Sequence, residues 1–340
     1  MNPERCLINL NLLKESELNT GYSTQGIKHL LGSLQVSLSL PFTRSQFIQE
    51  LPERQKGMSI SGYQPKLSLR LEAGELHVVS NDGTYILKPS PEEYPHLAEN
   101  EHATMCLMQR LKFDVPSFGL MQFKHDDNRP DELAFVIKRY DRIGTDKGRL
   151  HQEQLDGAMG LGDKYGYVDN KKATSYEKAA KFLNHSVSSS LKSKRDLFLR
   201  IIYAYVLGNN DFHLRNIGII LPEKGAPYLA PVYDFISVVP YPAAFKEYLA
   251  LPLLEREEND AESAPGINSI YGEYLGADFI LLAQGMDIHP ALAKKWLSEI
   301  ISNHQLIIDT YTESHMPEAQ RKTVLDYVAR RITLLAVTEL

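Results

Sequence analysis

The spacing of apolar positions changes along the chain. "KLSLRLEAGELHVV" alternates as a strand does, turns at Ala73-Gly74 and resumes as a second strand, and "GTYILKPS" predicts a short strand closed by Pro89. In "AENEHATMCLMQRL", Ala103, Leu107, Met108 and Leu111 fall at the spacing of a buried helix face. "LAFVIKRYDRI" is again an apolar strand, turning polar at Lys138. Beyond it the period is helical. Leu197, Phe198, Ile201, Ile202, Tyr205 and Val206 share one face, and the residues from Pro290 onward predict two long amphipathic helices. "HSVSSSLKSKR" (His185–Arg195) predicts a loop or a solvated helix start, and "EREEND" (Glu255–Asp260) a solvated loop. The pattern is that of an α+β protein with its parts segregated. Residues 1–140 are β-rich with one helix, residues 141–340 are mainly helical, and the boundary falls between Tyr140 and Gly148. No internal repeat is present.

Length supports that division, because 340 residues exceed what one hydrophobic core usually sustains. Apolar residues at 43% and charged residues at 24% are those of an ordinary soluble globular protein. A net charge of −6 argues against a chain that grips DNA directly, although a local basic patch stays open. Cys6 and Cys106 are the only cysteines, which suits a reducing compartment and excludes a disulfide framework. The N-terminus carries Glu4 and has no long apolar stretch of a secretory signal, and no apolar run reaches the length of about 18 residues that a membrane span needs. The expectation is a cytoplasmic protein with no membrane partner.

Candidate chemistry concentrates in "VLGNNDFHLRNIGII" (Val206–Ile220), where two asparagines, an aspartate and a further asparagine interrupt two apolar runs. Asp211 and Asn216 have the Asp-x-x-x-x-Asn spacing with which a single loop can supply a carboxylate for an attacking hydroxyl and an amide oxygen for Mg²⁺. Alone that spacing is weak. Asp234 in "PVYDFIS" strengthens it, since it lies 18 residues beyond Asn216, room for one hairpin, and would supply the second metal ligand. His213 is expected to brace this loop beside the nucleotide, because no second histidine stands at ligand spacing. Phosphoryl transfer further needs a cation on the nucleotide phosphates. Lys88, at the end of an apolar strand, fits, with Glu101 or Glu99 on the following helix to hold it. "GMSISGYQPK" (Gly57–Lys66) loosely fits a loop that would cover phosphates with backbone N–H groups, and Ser61, Gly62 and Lys66 are its candidate contacts. Lys138 and Tyr140 fall where an adenine would meet the chain linking the two parts. Each signal is weak alone, but their order along the chain is a constraint that chance does not readily supply.

Taken together, "SISGYQPKLSL", "YILKPS", "ENEHATMCLMQRLKFDVP", "FVIKRYDR", "HQEQLDGAMG", "GNNDFHLRN" and "PVYDFIS" resemble the HipA-type toxin serine/threonine kinases, over about Ser59 to Ser237. "GYSTQGIKHLLG" and "FTRSQFIQELPERQKGMSISGYQPKL" resemble more closely still the HipT branch, the shorter toxins of three-component HipBST systems. The resemblance implies a bilobal kinase-like fold without the additional N-terminal subdomain of HipA, with ATP and Mg²⁺ as cofactors. It implies Asp211 as catalytic base, Asn216 and Asp234 on Mg²⁺, and Lys88 and Lys66 on the nucleotide phosphates. Glu101 would pair with Lys88, with Glu99 not excluded, and Lys138 and Tyr140 would lie at the adenine. It also implies autophosphorylation at Ser59, to which this chain adds a second hydroxyl, Ser61. A phosphoserine carries about −1.5 to −2 charges and would compete with ATP inside a phosphate cradle. The partners implied are a HipS-like small antitoxin and a HipB-like DNA-binding antitoxin, so that DNA is reached only indirectly. The implied substrate is an aminoacyl-tRNA synthetase, the tryptophanyl enzyme for the HipT branch. Phe235-Ile236 after the metal aspartate departs from the Phe-Gly of ordinary protein kinases, which puts a flip of that segment in doubt. Two other readings compete: a small-molecule kinase, for which no acidic substrate pocket is evident, and a non-catalytic nucleotide-binding component of a repressor complex.

Overall fold

The computed structural model describes residues 2–54, 65–126, 132–143, 148–187 and 190–339. The chain divides into two compact units. Unit 1 is Met1–Arg149 with Thr310–Pro317, and unit 2 is Leu150–Asp309 with Glu318–Leu340.

Unit 1 begins with α1 (Thr24–Leu31), which starts at Ser23, whose side chain accepts the Gly26 N–H, and ends at Gly32 in left-handed backbone. Helix α2 (Arg44–Arg54) follows. Strands β1 (Leu67–Glu72) and β2 (Glu75–Val78) form the expected hairpin, with positive φ at both Ala73 (48°) and Gly74 (85°) in its turn. Strand β3 (Tyr85–Pro89), helix α3 (Leu97–Arg110) and strands β4 (Phe118–Gln122) and β5 (Leu133–Lys138) come next, and all five strands build one antiparallel sheet in the order β2-β1-β3-β5-β4. A two-residue ribbon, β6 (Arg142–Ile143) with β7 (Gly148–Arg149), closes the unit.

Helix α3 is enclosed: every residue from Leu97 to Met108 is buried, the charged ones included. His102 lies edge-on to Phe118 of the sheet. The returning segment contributes Tyr311, whose hydroxyl meets that of Thr104 at 2.9 Å, and Thr310 and Glu313, which accept from Arg110 at 3.0 and 2.6 Å. A helix buried on all sides must satisfy its polar groups within the protein, and this segment does so from far along the chain.

Unit 2 begins with β8 (His151–Gln154), the one-turn α4 (Leu155–Ala158) and a small hairpin, β9 (Tyr167–Val168) with β10 (Lys171–Lys172). Then come α5 (Tyr176–Ser186), α6 (Leu191–Leu207), β11 (Gly218–Leu221) and β12 (Tyr228–Leu229). The order β12-β11-β8 makes a three-stranded antiparallel sheet. Helix α6 is the core, with every residue from Leu197 to Leu207 buried. Helices α7 (Gly276–Gly285), α8 (Pro290–Ser302), α9 (His304–Glu313) and α10 (Glu318–Leu335) complete the chain.

Three expectations are corrected here. Among the described residues, 1–140 hold three helices, α1, α2 and α3, not one. The end of the chain holds three helices, not two, because Asn303 leaves helical backbone after α8 (ψ 3°) and Pro317 cannot continue a helical hydrogen-bond ladder from α9. "EREEND" is not a solvated loop but 3-10 turns with engaged carboxylates. Glu257 accepts from the Leu254 N–H and the Tyr274 hydroxyl, each at 2.8 Å, and Glu258 accepts from the N–H and hydroxyl of Ser175. Acidic residues placed against helix starts and hydroxyls need not face water.

Candidate active site

The sheet and α3 of unit 1 meet at Lys88. In β3 it lies opposite Phe135 of β5, and its Nζ stands 5.6 Å from the centre of that ring. The ammonium meets Glu101 Oε1 at 2.6 Å, with side-chain exposures of 4% and 0%. Two charges so buried are tolerable only as a pair. Glu99, the alternative partner, turns instead to His96 Nδ1 at 3.0 Å and raises that imidazole's pKa through the hydrogen bond. Lys66 is half-buried at the entry to β1. Lys138 is exposed at the end of β5, and its N–H donates to the Ser117 carbonyl at 2.7 Å, so an adenine contact through that N–H would have to displace Ser117. Tyr140 is half-buried in the turn that follows, beside Asp141, which takes both Arg139 and Arg142. Ser59, Ser61 and Gly62 lie outside the described residues.

In unit 2 the apolar run of α6 stops at Gly208, in left-handed backbone (φ 65°), and a methyl there would run into Val239. The chain then turns through Asn209, whose side-chain oxygen accepts the Asp211 N–H at 3.2 Å, into a 3-10 turn over Leu214–Asn216. Asp211 keeps 44% of its side chain exposed, while Asn216 is buried and its Oδ1 accepts the His213 N–H at 3.2 Å. His213 is buried and burial holds its pKa down to about 4, so the ring is neutral near pH 7. Its Nε2 stands 3.7 Å from Asp211 Oδ1, and its ring packs edge-on to Tyr165 at 5.4 Å. These contacts hold His213 against the loop that carries Asp211.

Strands β11 and β12 return the chain to Asp234, which is in left-handed backbone (φ 54°) and close enough for its charge to act on His213. The residues after the two aspartates join the two turns: Phe212 and Phe235 pack at 5.2 Å, and Tyr176 stacks on Phe212 and donates its hydroxyl to the Phe212 carbonyl at 2.5 Å. Among the described residues no group of three or more His, Cys, Asp or Glu could hold a metal. Asn216 and Asp234 nevertheless suit Mg²⁺, which takes hard oxygen donors and commonly only one or two from the protein, the rest from phosphates and water.

Several supporting residues give no legible signal in the sequence. Asp156 in α4 takes the Arg215 guanidinium at 2.6 Å, fixing the residue before Asn216. Tyr233 donates to the Arg215 carbonyl at 2.7 Å. Tyr165 donates its hydroxyl to Asp211 Oδ1 at 2.9 Å, and Lys164 Nζ lies 3.7 Å from the same oxygen. Asp156 stands in the "HQEQLDGAMG" stretch, but neither its spacing to Arg215 nor that of Tyr165 to Asp211 follows a local period.

Residues 58–306 match the model of the HipA-like C-terminal domain. Over 334 residues the chain is 47% identical to a Haemophilus influenzae protein named "Putative kinase", covering 97% of both. It is 28% identical over 240 residues to a Shewanella oneidensis protein named serine/threonine-protein kinase toxin HipA, covering 65% of this chain and 50% of that one. The HipA of Shewanella oneidensis, solved in complex with HipB and operator DNA, superposes with a TM-score of 0.64 at 20% identity, over 97% of this chain and 84% of that one. The folds are alike.

Proposed function

The chain belongs to the family of the HipA-like C-terminal domain, and from that premise we propose that it is a protein serine/threonine kinase that moves the γ-phosphate of ATP to a protein hydroxyl. The observation that carries the reading is the loop of unit 2, which fixes Asn216 from the backbone while leaving the Asp211 carboxylate half-exposed. In the step itself, an acceptor Oγ attacks the γ-phosphorus and its proton passes to Asp211. The bond from phosphorus to the bridging oxygen breaks, and its electrons leave with ADP. Lys88, held by Glu101, meets the nucleotide phosphates, with Lys66, Ser61 and Gly62 on the same phosphates and Lys138 and Tyr140 at the adenine. Asn216 and Asp234 hold Mg²⁺, which when bound neutralises charge on the phosphate oxygens.

The finer reading rests on the resemblance to the HipT branch. The chain is the toxin of a toxin–antitoxin system, with a HipS-like small partner and a HipB-like partner that contacts DNA. It phosphorylates tryptophanyl-tRNA synthetase, which blocks aminoacylation, and it phosphorylates itself at Ser59 or Ser61, where the added charge competes with ATP. One mass-spectrometric experiment tests these layers. Phosphatase-treated protein is incubated with ATP, Mg²⁺ and tryptophanyl-tRNA synthetase, with Asp211→Ala as control. Phosphate on the synthetase, absent in the control, supports kinase and substrate together. Phosphate on this chain alone, at Ser59 or Ser61, keeps the kinase and rejects that substrate. No phosphate on either protein rejects the proposal.

A further inference from the structure

Lys164 and Tyr165 are not explained by the packing of unit 2. Their segment is pinned at several points. Asp163 Oδ1 accepts the N–H groups of Tyr165 and Tyr167 at 2.8 and 3.1 Å, and the Ala173 N–H bonds to the Gly166 carbonyl. Gly166 has positive φ (68°), and a Cβ there would lie 2.6 Å from that of Thr174. The Leu214 N–H donates to the Lys164 carbonyl at 3.0 Å, which ties the segment to the turn that carries Asp211. Such anchoring is what a side chain needs if it must sit at a fixed place beside a reacting group.

The side chains it fixes converge on one carboxylate. Tyr165 donates its hydroxyl to Asp211 Oδ1 at 2.9 Å. Lys164 Nζ lies 4.7 Å from the centre of the Tyr165 ring, only 19% exposed, and 3.7 Å from the same oxygen. A surface ion pair is usually a loose contact between two solvated groups. Here the lysine is mostly sheltered, the carboxylate is open, and the gap is wider than a direct hydrogen bond. Among the described residues, Asp211 is the only ion-pair partner of Lys164, and no group bonds to Asp211 Oδ2.

We propose that Lys164 and Tyr165 form a clamp on the catalytic base. Tyr165 is a positioning residue that anchors Oδ1, so that Oδ2 takes the proton of the attacking hydroxyl. Lys164 supplies the cation beside the phosphoryl group in transfer. A hydroxyl on the carboxylate lies about 3 Å from it, and the phosphorus it attacks about 3 Å farther on. An ammonium 3.7 Å from the carboxylate is therefore within reach of the phosphoryl oxygens as charge moves across them. The inference rests on the kinase reading and adds two residues that the Asp-x-x-x-x-Asn spacing does not contain.

The test compares Tyr165→Phe, Lys164→Met and Lys164→Arg with the unaltered protein, for phosphate transfer under saturating ATP and for ATP affinity by calorimetry. Tyr165→Phe keeps the ring contacts and removes only the hydroxyl. The expected result is a fall in kcat of about 10- to 100-fold, the loss of one hydrogen bond to a charged group, with ATP affinity within about twofold. Lys164→Met should fall by a similar factor, and Lys164→Arg should recover most of it because the charge is kept. In an Asp211→Asn background Tyr165→Phe should cost little more, since the two act as a unit. Unchanged kcat in Tyr165→Phe and Lys164→Met, beside an active unaltered protein, overturns the clamp and leaves the kinase reading intact. An unaltered protein that binds ATP and transfers no phosphate overturns both. A loss of ATP affinity equal to the loss of rate assigns the pair to nucleotide binding and rejects the clamp.

Discussion

Lys88 and Lys164 each stand beside a carboxylate, and the two pairs are built in opposite ways. In unit 1, Lys88 and Glu101 close to 2.6 Å with exposures of 4% and 0%. In unit 2, Lys164 and Asp211 stay 3.7 Å apart with exposures of 19% and 44%. A buried pair cannot readily exchange a partner for water, so its geometry is fixed. An open pair contributes little to stability, but its carboxylate can still accept a proton. One arrangement holds a cation in place and the other leaves a base available, a division of labour that suits phosphoryl transfer.

The largest effect is expected at the open carboxylate. Asp211→Ala should lower phosphate transfer by about 10²- to 10⁴-fold, the usual contribution of a positioned general base, with the urea midpoint nearly unchanged. An Asp211→Ala variant that unfolded easily would mean that the open pair is structural, and the contrast would fail. Glu101→Ala should behave the other way. Removing one member of a buried ion pair costs about 3–5 kcal/mol, read as a lower urea midpoint. The double variant Lys88→Met/Glu101→Met should be more stable than Glu101→Ala, because both buried charges are removed together. Equal stability of the single and double variants would show that the pair is not sealed.

The enclosure of α3 also predicts a pH dependence. Burial lowers the pKa of His102 to about 3 and that of His315 to about 4, against 6.5 ordinarily. Between pH 6.5 and those values the unfolded chain binds protons that the folded chain does not. Stability is therefore expected to be level above about pH 7 and to fall as the pH drops towards 4, by about 1.4 kcal/mol per histidine for each pH unit crossed below 6.5. Urea midpoints at about pH 7.5, 6 and 5 check this, and a flat series would show that the interior of unit 1 admits water. The smallest effect is expected at Asp156→Asn. Arg215 is partly exposed and water can replace its partner, so the cost should be about 1 kcal/mol, with a severalfold loss of transfer as the turn before Asn216 loosens.

Much of the fold is legible in the chain. Strand alternation locates β1 and β2, short apolar runs bounded by Pro89 and Lys138 locate β3 and β5, and helical spacing locates α3 and α6, because these signals are set within a few residues. Strand β4, in "FGLMQ", escapes such a reading, since its apolar run is short and broken by Gly119. The spacing that marks Asp211, Asn216 and Asp234 is likewise local, and the structure sets His213 between the first two of these within one turn.

The sequence by itself determined the hairpin of β1 and β2, the buried faces of α3 and α6, the loop that interrupts two apolar runs, and a lysine at the end of an apolar strand. Only the tertiary structure decided that Lys88 pairs with Glu101 while Glu99 turns to His96, that Thr310–Pro317 covers α3, and that Tyr165 and Lys164 reach Asp211. The physical reason is distance along the chain. A helix or strand is fixed by neighbours a few residues away, whereas the partner of a charge is set by which distant segments pack together and how much water they exclude.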